Sequence, residues 1–315
     1  MKLLRYGIMS ASSIAPRFIA AVRATGAGEI VALSSRTMLK AQEKAKAWNV
    51  PKAYGSHCEL LNDPAIDIVY ISSVNSQHYP MAKQALLAGK HVVCEKPCTV
   101  SSAQTEELFA LAREKNLFLM EAQKMLLLPV MDAVRCKLKD GCIGNVHLVQ
   151  MSHSFSAGYN NWQFDKALGG GTLLSSGIYA VELLQWLFGE IKQIHGVKSA
   201  NPDGTEWQYI LSGRTEGGVL FSVKNSTKVS LDNTCYIYGT EGYIEIPEYW
   251  KARRAILHIN GKEPEILSFP CEFELIYEAR HVADCIESGW QTSPIVTPAL
   301  TLAGIRTLEN VMANW

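Results

Sequence analysis

Between Leu3 and Glu121, short β-rich runs alternate with amphipathic stretches of helical period, and no other feature of the chain narrows the possible folds as much. Residues 3–9, 29–35, 66–72, 91–94 and 117–121 read as strands. Residues 14–24, 38–48, 80–88 and 101–115 read as helices, the third stopped by a left-handed residue at Gly89. Strands separated by helices of this length need crossover connections, which are right-handed and leave the strands parallel. The pattern predicts an α/β unit built on a parallel sheet.

The pattern changes after Glu121. A helix over 130–139 ends at Gly141, and β runs follow at 146–155, 192–198, 206–211, 218–225, 234–238 and 255–259. Turn residues such as Pro202-Asp203-Gly204, Glu216-Gly217-Gly218 and Asn260-Gly261 separate them. A large, mostly antiparallel open sheet is expected, as part of an α+β domain. A helix over 177–188 is closed by Gly189. Two helices finish the chain, one over 274–287 and one opening with Thr297 as N-cap and Pro298 in the first turn. In the last, Ile305, Leu308 and Met312 share one face. A length of 315 residues suits two domains; these are expected at 1–122 and 123–315, meeting at a packed hinge.

Composition removes several function classes. Lys and Arg balance Asp and Glu at 30 each, so the net charge is zero and a polyanionic partner is not expected. The basic run Lys251-Ala252-Arg253-Arg254 reads as a solvated strand edge. No segment is read as the ~20 apolar residues of a membrane span, and no signal-peptide pattern opens the chain. Cysteines 58, 94, 98, 136, 142, 235, 271 and 285 form no CxxC pair and no disulfide framework. Reduced thiols in a soluble cytoplasmic protein, with no metal site, are expected.

The first strand runs into Gly7-Ile8-Met9-Ser10-Ala11-Ser12-Ser13-Ile14-Ala15. A dinucleotide-binding turn of a Rossmann-type sheet carries glycines where Ser10 and Ser12 stand, and Gly or Ala where Ala15 stands. The serines can serve if neither position demands positive φ. Ser10, Ala11, Ser12, Ser13 and Ile14 are then the candidate pyrophosphate contacts, next to a helix N-terminus that favours an anion. The second strand ends Ser34-Ser35-Arg36-Thr37, without the acid that holds the ribose hydroxyls of NAD, and Lys40 follows one turn later. Ser35, Arg36 and Lys40 suit a 2′-phosphate, so NADP(H) is expected over NAD(H).

The run Gly89-Lys90-His91-Val92-Val93-Cys94-Glu95-Lys96-Pro97 resembles the Glu-Lys-Pro signature of the Gfo/Idh/MocA oxidoreductases. Six further matches follow its order: Asn75 with His78, Met120-Glu121-Ala122, Trp162, Gly169-Gly170-Gly171-Thr172-Leu173-Leu174, Gly177-Ile178-Tyr179, and Tyr238-Gly239-Thr240-Glu241-Gly242. Within the family the chain is most similar to the dimeric dihydrodiol dehydrogenase branch. The resemblance implies a catalytic Lys96, reached through a cis Lys96–Pro97 bond, and Tyr179 as general acid/base. A phenol ordinarily titrates near ~10 and needs a cation beside it; Lys96 is the expected one. The resemblance also implies cofactor contacts from Ser73, Asn75, His78, Glu95 and Lys96. Substrate contacts are implied for Trp162, Ser175, Lys96 and Tyr179, and a homodimer or higher oligomer through the open sheet face.

Three departures stand out. Ser175 replaces the family's Asp, Ser10 and Ser12 replace fingerprint glycines, and Lys124 and Leu126 replace the Trp and Arg of the dihydrodiol branch. The expectation is an NADP(H)-dependent oxidoreductase acting on a sugar, polyol or diol. The alternatives are a non-catalytic NADP-binding sensor or regulator and a redox-assisted glycosidase. A small-molecule substrate is expected, with neither nucleic acid nor membrane as partner.

Overall fold

The computed structural model describes residues 3–156 and 162–315. The chain divides into two compact units, Met1–Gln123 with Phe273–Thr301, and Lys124–Glu272 with Leu302–Trp315.

The first unit holds strands β1 (Leu4–Met9), β2 (Gly28–Ser34), β3 (Lys52–Tyr54), β4 (Ile68–Ile71), β5 (His91–Glu95) and β6 (Leu119–Ala122). They pair in the order β3-β2-β1-β4-β5-β6, every pair parallel. Its helices are α1 (Ala15–Thr25), α2 (Met38–Ala47), α3 (His57–Leu61), α4 (Asn75–Leu87) and α5 (Ser102–Glu114). Central strands read as continuous apolar runs because helices cover both their faces: every residue of β4 is buried. Strand β3 and helix α3 are too short to show a period and have no counterpart in the sequence pattern.

The helix predicted at 80–88 begins at Asn75, so Pro80 lies inside it rather than at its start. Proline costs the helix one backbone bond. Burial of Asn75, His78, Met81, Ala82 and Ala85 along one face outweighs that loss. Gly89 takes the left-handed conformation expected of it, at φ 74°.

The expected division at residue 122 needs correction toward the C-terminus. Helix α8 (Leu275–Glu287) belongs to the first unit. Its buried stripe of Leu275, Ala279, Val282 and Cys285 packs on α1, and Arg17 pairs with Glu274 just before its first turn. Burial of that stripe, which no local signal assigns to either domain, decides its membership.

The second unit contains α6 (Pro129–Lys139), β7 (Val146–Ser154), α7 (Ile178–Phe188) and strands β8 (Ile191–Ala200), β9 (Glu206–Thr215) and β10 (Leu220–Ser226). It continues with β11 (Thr234–Gly239), β12 (Gly242–Pro247), β13 (Arg254–Ile259) and β14 (Glu265–Ser268). These eight strands form one sheet, ordered β14-β13-β12-β11-β7-β10-β9-β8, with β7–β10 the parallel pair and the others antiparallel. One face is buried through Val149, Met151, Leu211, Phe221, Val223 and Ile237; the other exposes Val197, Ile210 and Leu220. Strands β12 and β14 are additions to the predicted set.

The last helix, α9 (Pro298–Ala313), spans the division at residue 301. Thr297 Oγ1 accepts the Leu300 N–H at 3.2 Å, as the N-cap signal implies. Ile305 and Leu308 are buried, but Met312 is exposed and Val311 is buried in its place, because the stripe advances by three residues at its end rather than four. By length and hydropathy Lys166–Phe188 does reach the size of a membrane span, against the reading that no segment does. Most of its apolar window, 78%, is buried inside the protein, which accounts for its composition.

Candidate active site

In the first unit the strand order reverses between β1 and β4, the point at which sheets of this kind bind nucleotides beyond their carboxyl ends. Ser10 to Ile14 form the turn there. Ser10 has φ 87°, so this position does demand the left-handed region, against the condition under which serine was expected to serve; Ser12 does not. The Ser10 N–H bonds to Ser34 O at 3.2 Å, and the Ser12 hydroxyl donates to Ser72 Oγ at 2.8 Å, tying the turn to β2 and to the end of β4. Helix α1 starts after Ile14 without a side-chain cap. Its first-turn N–H groups thus suit a pyrophosphate, and the turn fits a dinucleotide.

At the end of β2, Ser35 is buried, while Arg36 and Lys40 are exposed and no carboxylate stands between Ser34 and Lys40. Thr37 caps α2 by accepting the Lys40 N–H. His57, which sequence reasoning missed, places Nδ1 2.7 Å from Ser34 Oγ. Burial, and then the Arg36 charge, lower its pKa from the ordinary value. Only the short α3 brings it back to β2, a segment with no legible period. The set of hydroxyls, imidazole and guanidinium fits a 2′-phosphate better than bare ribose hydroxyls.

Lys96 is half-buried after β5, and its bond to Pro97 is cis. His78, fully buried on α4, braces this turn: Nδ1 lies 2.7 Å from Pro97 O and Nε2 3.2 Å from Ser73 O. The buried Glu121 accepts the Cys98 N–H at 2.8 Å and the Thr301 hydroxyl at 2.9 Å. Tyr70 donates to Glu95. His78 thus links Ser73, after β4, to the Lys96–Pro97 turn after Glu95 of β5, and Asn75 is buried in the first turn of α4.

In the second unit Tyr179 is buried at the start of α7. The preceding turn, Leu173–Gly177, is a π-turn containing the buried Ser175. Such a turn widens the step between 175 and 179 relative to an α-helix, and π-turns often mark functional positions. The glycine run before it has a packing reason. A Cβ on Gly171, whose φ is 114°, would lie 2.5 Å from Glu206 Oε1, and one on Gly170 would lie 2.7 Å from Gln163 O. The freed space lets the Glu206 carboxylate accept the Leu173 N–H; burial raises its pKa, and that bond opposes the shift. Asn225 Nδ2 donates to Ser176 Oγ at 2.6 Å, fixing the turn to β10.

Lys124 Nζ donates to Tyr179 Oη at 3.3 Å and sits 5.6 Å from the ring centroid. It lies in the 3-10 turn Lys124–Leu127 and is buried. Lys96 was the cation expected for this phenol; within the second unit the phenol has a different one, at a position noted in the sequence only as a departure. The His153 and Trp250 rings meet at 3.9 Å between centroids, tilted by 33°, a pair that strand alternation could not reveal. Trp162 is half-buried in the 3-10 turn Trp162–Phe164. Of the loop 156–166 beside it, residues 157–161 lie outside the described residues.

Residues 4–123 match the oxidoreductase family model of Gfo/Idh/MocA proteins with an NAD-binding Rossmann fold, and residues 131–245 match the family's C-terminal domain. The chain belongs to the Gfo/Idh/MocA oxidoreductase family. It is 35% identical over 303 residues to trans-1,2-dihydrobenzene-1,2-diol dehydrogenase of Mus musculus, covering 93% of this chain and 91% of that one. The Homo sapiens protein of the same name is 32% identical over 304 residues, at 93% and 91% coverage. A 3-ketoreductase from Actinomadura kijaniata, solved with NADP and TDP-benzene, shares the fold with a TM-score of 0.91 at 23% identity, covering 99% of this chain and 98% of its own. Levoglucosan dehydrogenase, solved with NADH and levoglucosan, does so at 0.89 and 19%, covering 99% and 96%. This Gfo/Idh/MocA member is therefore a nicotinamide-dependent oxidoreductase, as the Glu95-Lys96-Pro97 run implies.

Proposed function

We propose that the protein moves a hydride between NADP(H) and a sugar, polyol or diol, with Lys96 holding the substrate oxygen and Tyr179 carrying the proton. The observation that carries this is Tyr179, a buried phenol at a π-turned helix start with an ammonium group in hydrogen-bond reach. The bound nicotinamide supplies the hydride acceptor or donor. The rest falls to the chain's own residues. The Lys96 ammonium donates to the substrate oxygen and favours negative charge on it. Tyr179 takes the hydroxyl proton as an alcohol becomes a carbonyl, and returns it in the reverse direction. Ser175 and Trp162 contribute substrate contacts.

The dihydrodiol dehydrogenase relatives support a diol, and the sugar-handling proteins of the same fold support a sugar. Preference for NADP(H) follows from Ser35, Arg36 and Lys40, joined by His57. The exposed Val197, Ile210 and Leu220 on the open sheet face support self-association there. The eight cysteines, none in a disulfide, suit the cytoplasm.

A panel of sugars, polyols and diols followed by NADPH absorbance tests the reading. Turnover of a panel member that disappears in both Lys96→Ala and Tyr179→Phe is the expected result. Tyr179→Phe at the native rate removes the catalytic assignment, and a panel without turnover removes the activity.

A further inference from the structure

The Lys124–Tyr179 contact has a direction. Both side chains are buried, at 8% and 6% exposure, so water does not compete freely for the bond. An ammonium carries three donors and no acceptor. The phenolic oxygen must therefore accept from Lys124, and the phenol's own hydrogen cannot be turned back toward it. We propose that Lys124 is a positioning residue for Tyr179, holding the phenolic oxygen so that its O–H is offered to the substrate oxygen when a carbonyl is reduced. The inference rests on the reading of Tyr179 as acid/base.

The proton balance is simple. The substrate carbon gains the hydride, the carbonyl oxygen gains the Tyr179 proton, and the phenolic oxygen is left negative. The Lys124 N–H bond, then joining an ammonium to a phenolate, holds that oxygen until solvent returns a proton. The turn bearing Lys124 packs on the 3-10 turn Tyr249–Lys251, where burial raises the Tyr249 phenol and keeps it uncharged. On α7 itself Glu182 is buried against Gly304 of α9.

The test reads reduction of a panel of ketoses and α-dicarbonyls by NADPH in Lys124→Met, Lys124→Arg, Lys124→Glu and Tyr179→Phe. Lys124→Met should lower kcat by at least about tenfold, leaving KM for the carbonyl within about twofold and NADPH binding, read by fluorescence, unchanged. Lys124→Arg, also a pure donor, should recover most of the rate. Lys124→Glu is an acceptor that captures the phenolic hydrogen, and should fall to the Tyr179→Phe level. Should Lys124→Met fail to fold, the Arg and Glu variants decide. Native kcat in Lys124→Met or Lys124→Glu beside an inactive Tyr179→Phe overturns the role of Lys124 alone. An active Tyr179→Phe, or no turnover across the panel, overturns it together with the reading beneath it.

Discussion

The Nδ1 atom of His78 lies 2.7 Å from the carbonyl oxygen of Pro97, the residue that follows Lys96. Burial lowers the His78 pKa from its ordinary value, against the pull of the two carbonyls it faces. A neutral ring donates from one nitrogen, and the shorter contact assigns that hydrogen to Nδ1. His78→Phe leaves the Pro97 carbonyl buried without its donor, a loss of about 1–3 kcal/mol. Denaturant unfolding should show that loss, and kcat should fall with it because the turn bearing Lys96 loosens. A variant that keeps both stability and kcat would show that His78 does not brace the turn.

Cofactor choice is testable at the end of β2. Arg36→Ala should weaken NADPH binding by about 1.5–3 kcal/mol, the range for a hydrogen bond to a charged group, and NADH binding far less. Fluorescence titration with both nucleotides measures the difference. Indistinguishable NADPH and NADH curves in the native protein would contradict the assignment of Arg36.

Ser10 holds φ 87° where a glycine would be unstrained. A non-glycine residue pays roughly 1–2 kcal/mol in the left-handed region, of which the greater unfolded-state freedom of glycine gives part back. Ser10→Gly should therefore raise stability by about 1 kcal/mol in denaturant unfolding. A destabilised variant would mean that the Ser10 side chain makes a contact worth more than its strain.

His91 links stability to pH. Its Nδ1 accepts the Phe118 N–H at 2.9 Å, which requires the neutral ring, and burial lowers its pKa below the ordinary 6.5, with Asp67 opposing. The unfolded chain takes up the proton first, so the native state loses stability as pH falls below about 6.5, until the folded imidazole also protonates. His57 and His281, lowered by burial as well, add to the loss with the same sign. Melting temperatures between about pH 7 and 5 should fall, and His91→Gln should flatten part of that slope. An unchanged slope in His91→Gln would assign the effect elsewhere.

Local signals carried much of this protein. Strand and helix periods are properties of neighbouring residues, so the parallel sheet, the stop at Gly89 and the Thr297 cap were legible along the chain. The Glu95-Lys96-Pro97 run and its companion motifs carried the family in the same way. Strand β3, at three residues, has too little of any period to register. The return of α8 to the first unit, the contact of His57 with Ser34 and the ammonium at Tyr179 were decided only in three dimensions. Lys124 and Tyr179 stand 55 residues apart. Whether their side chains meet depends on how the turn at Lys124 and the start of α7 pack within the second unit, and burial energy summed over the whole unit, not any local preference, settles that distance.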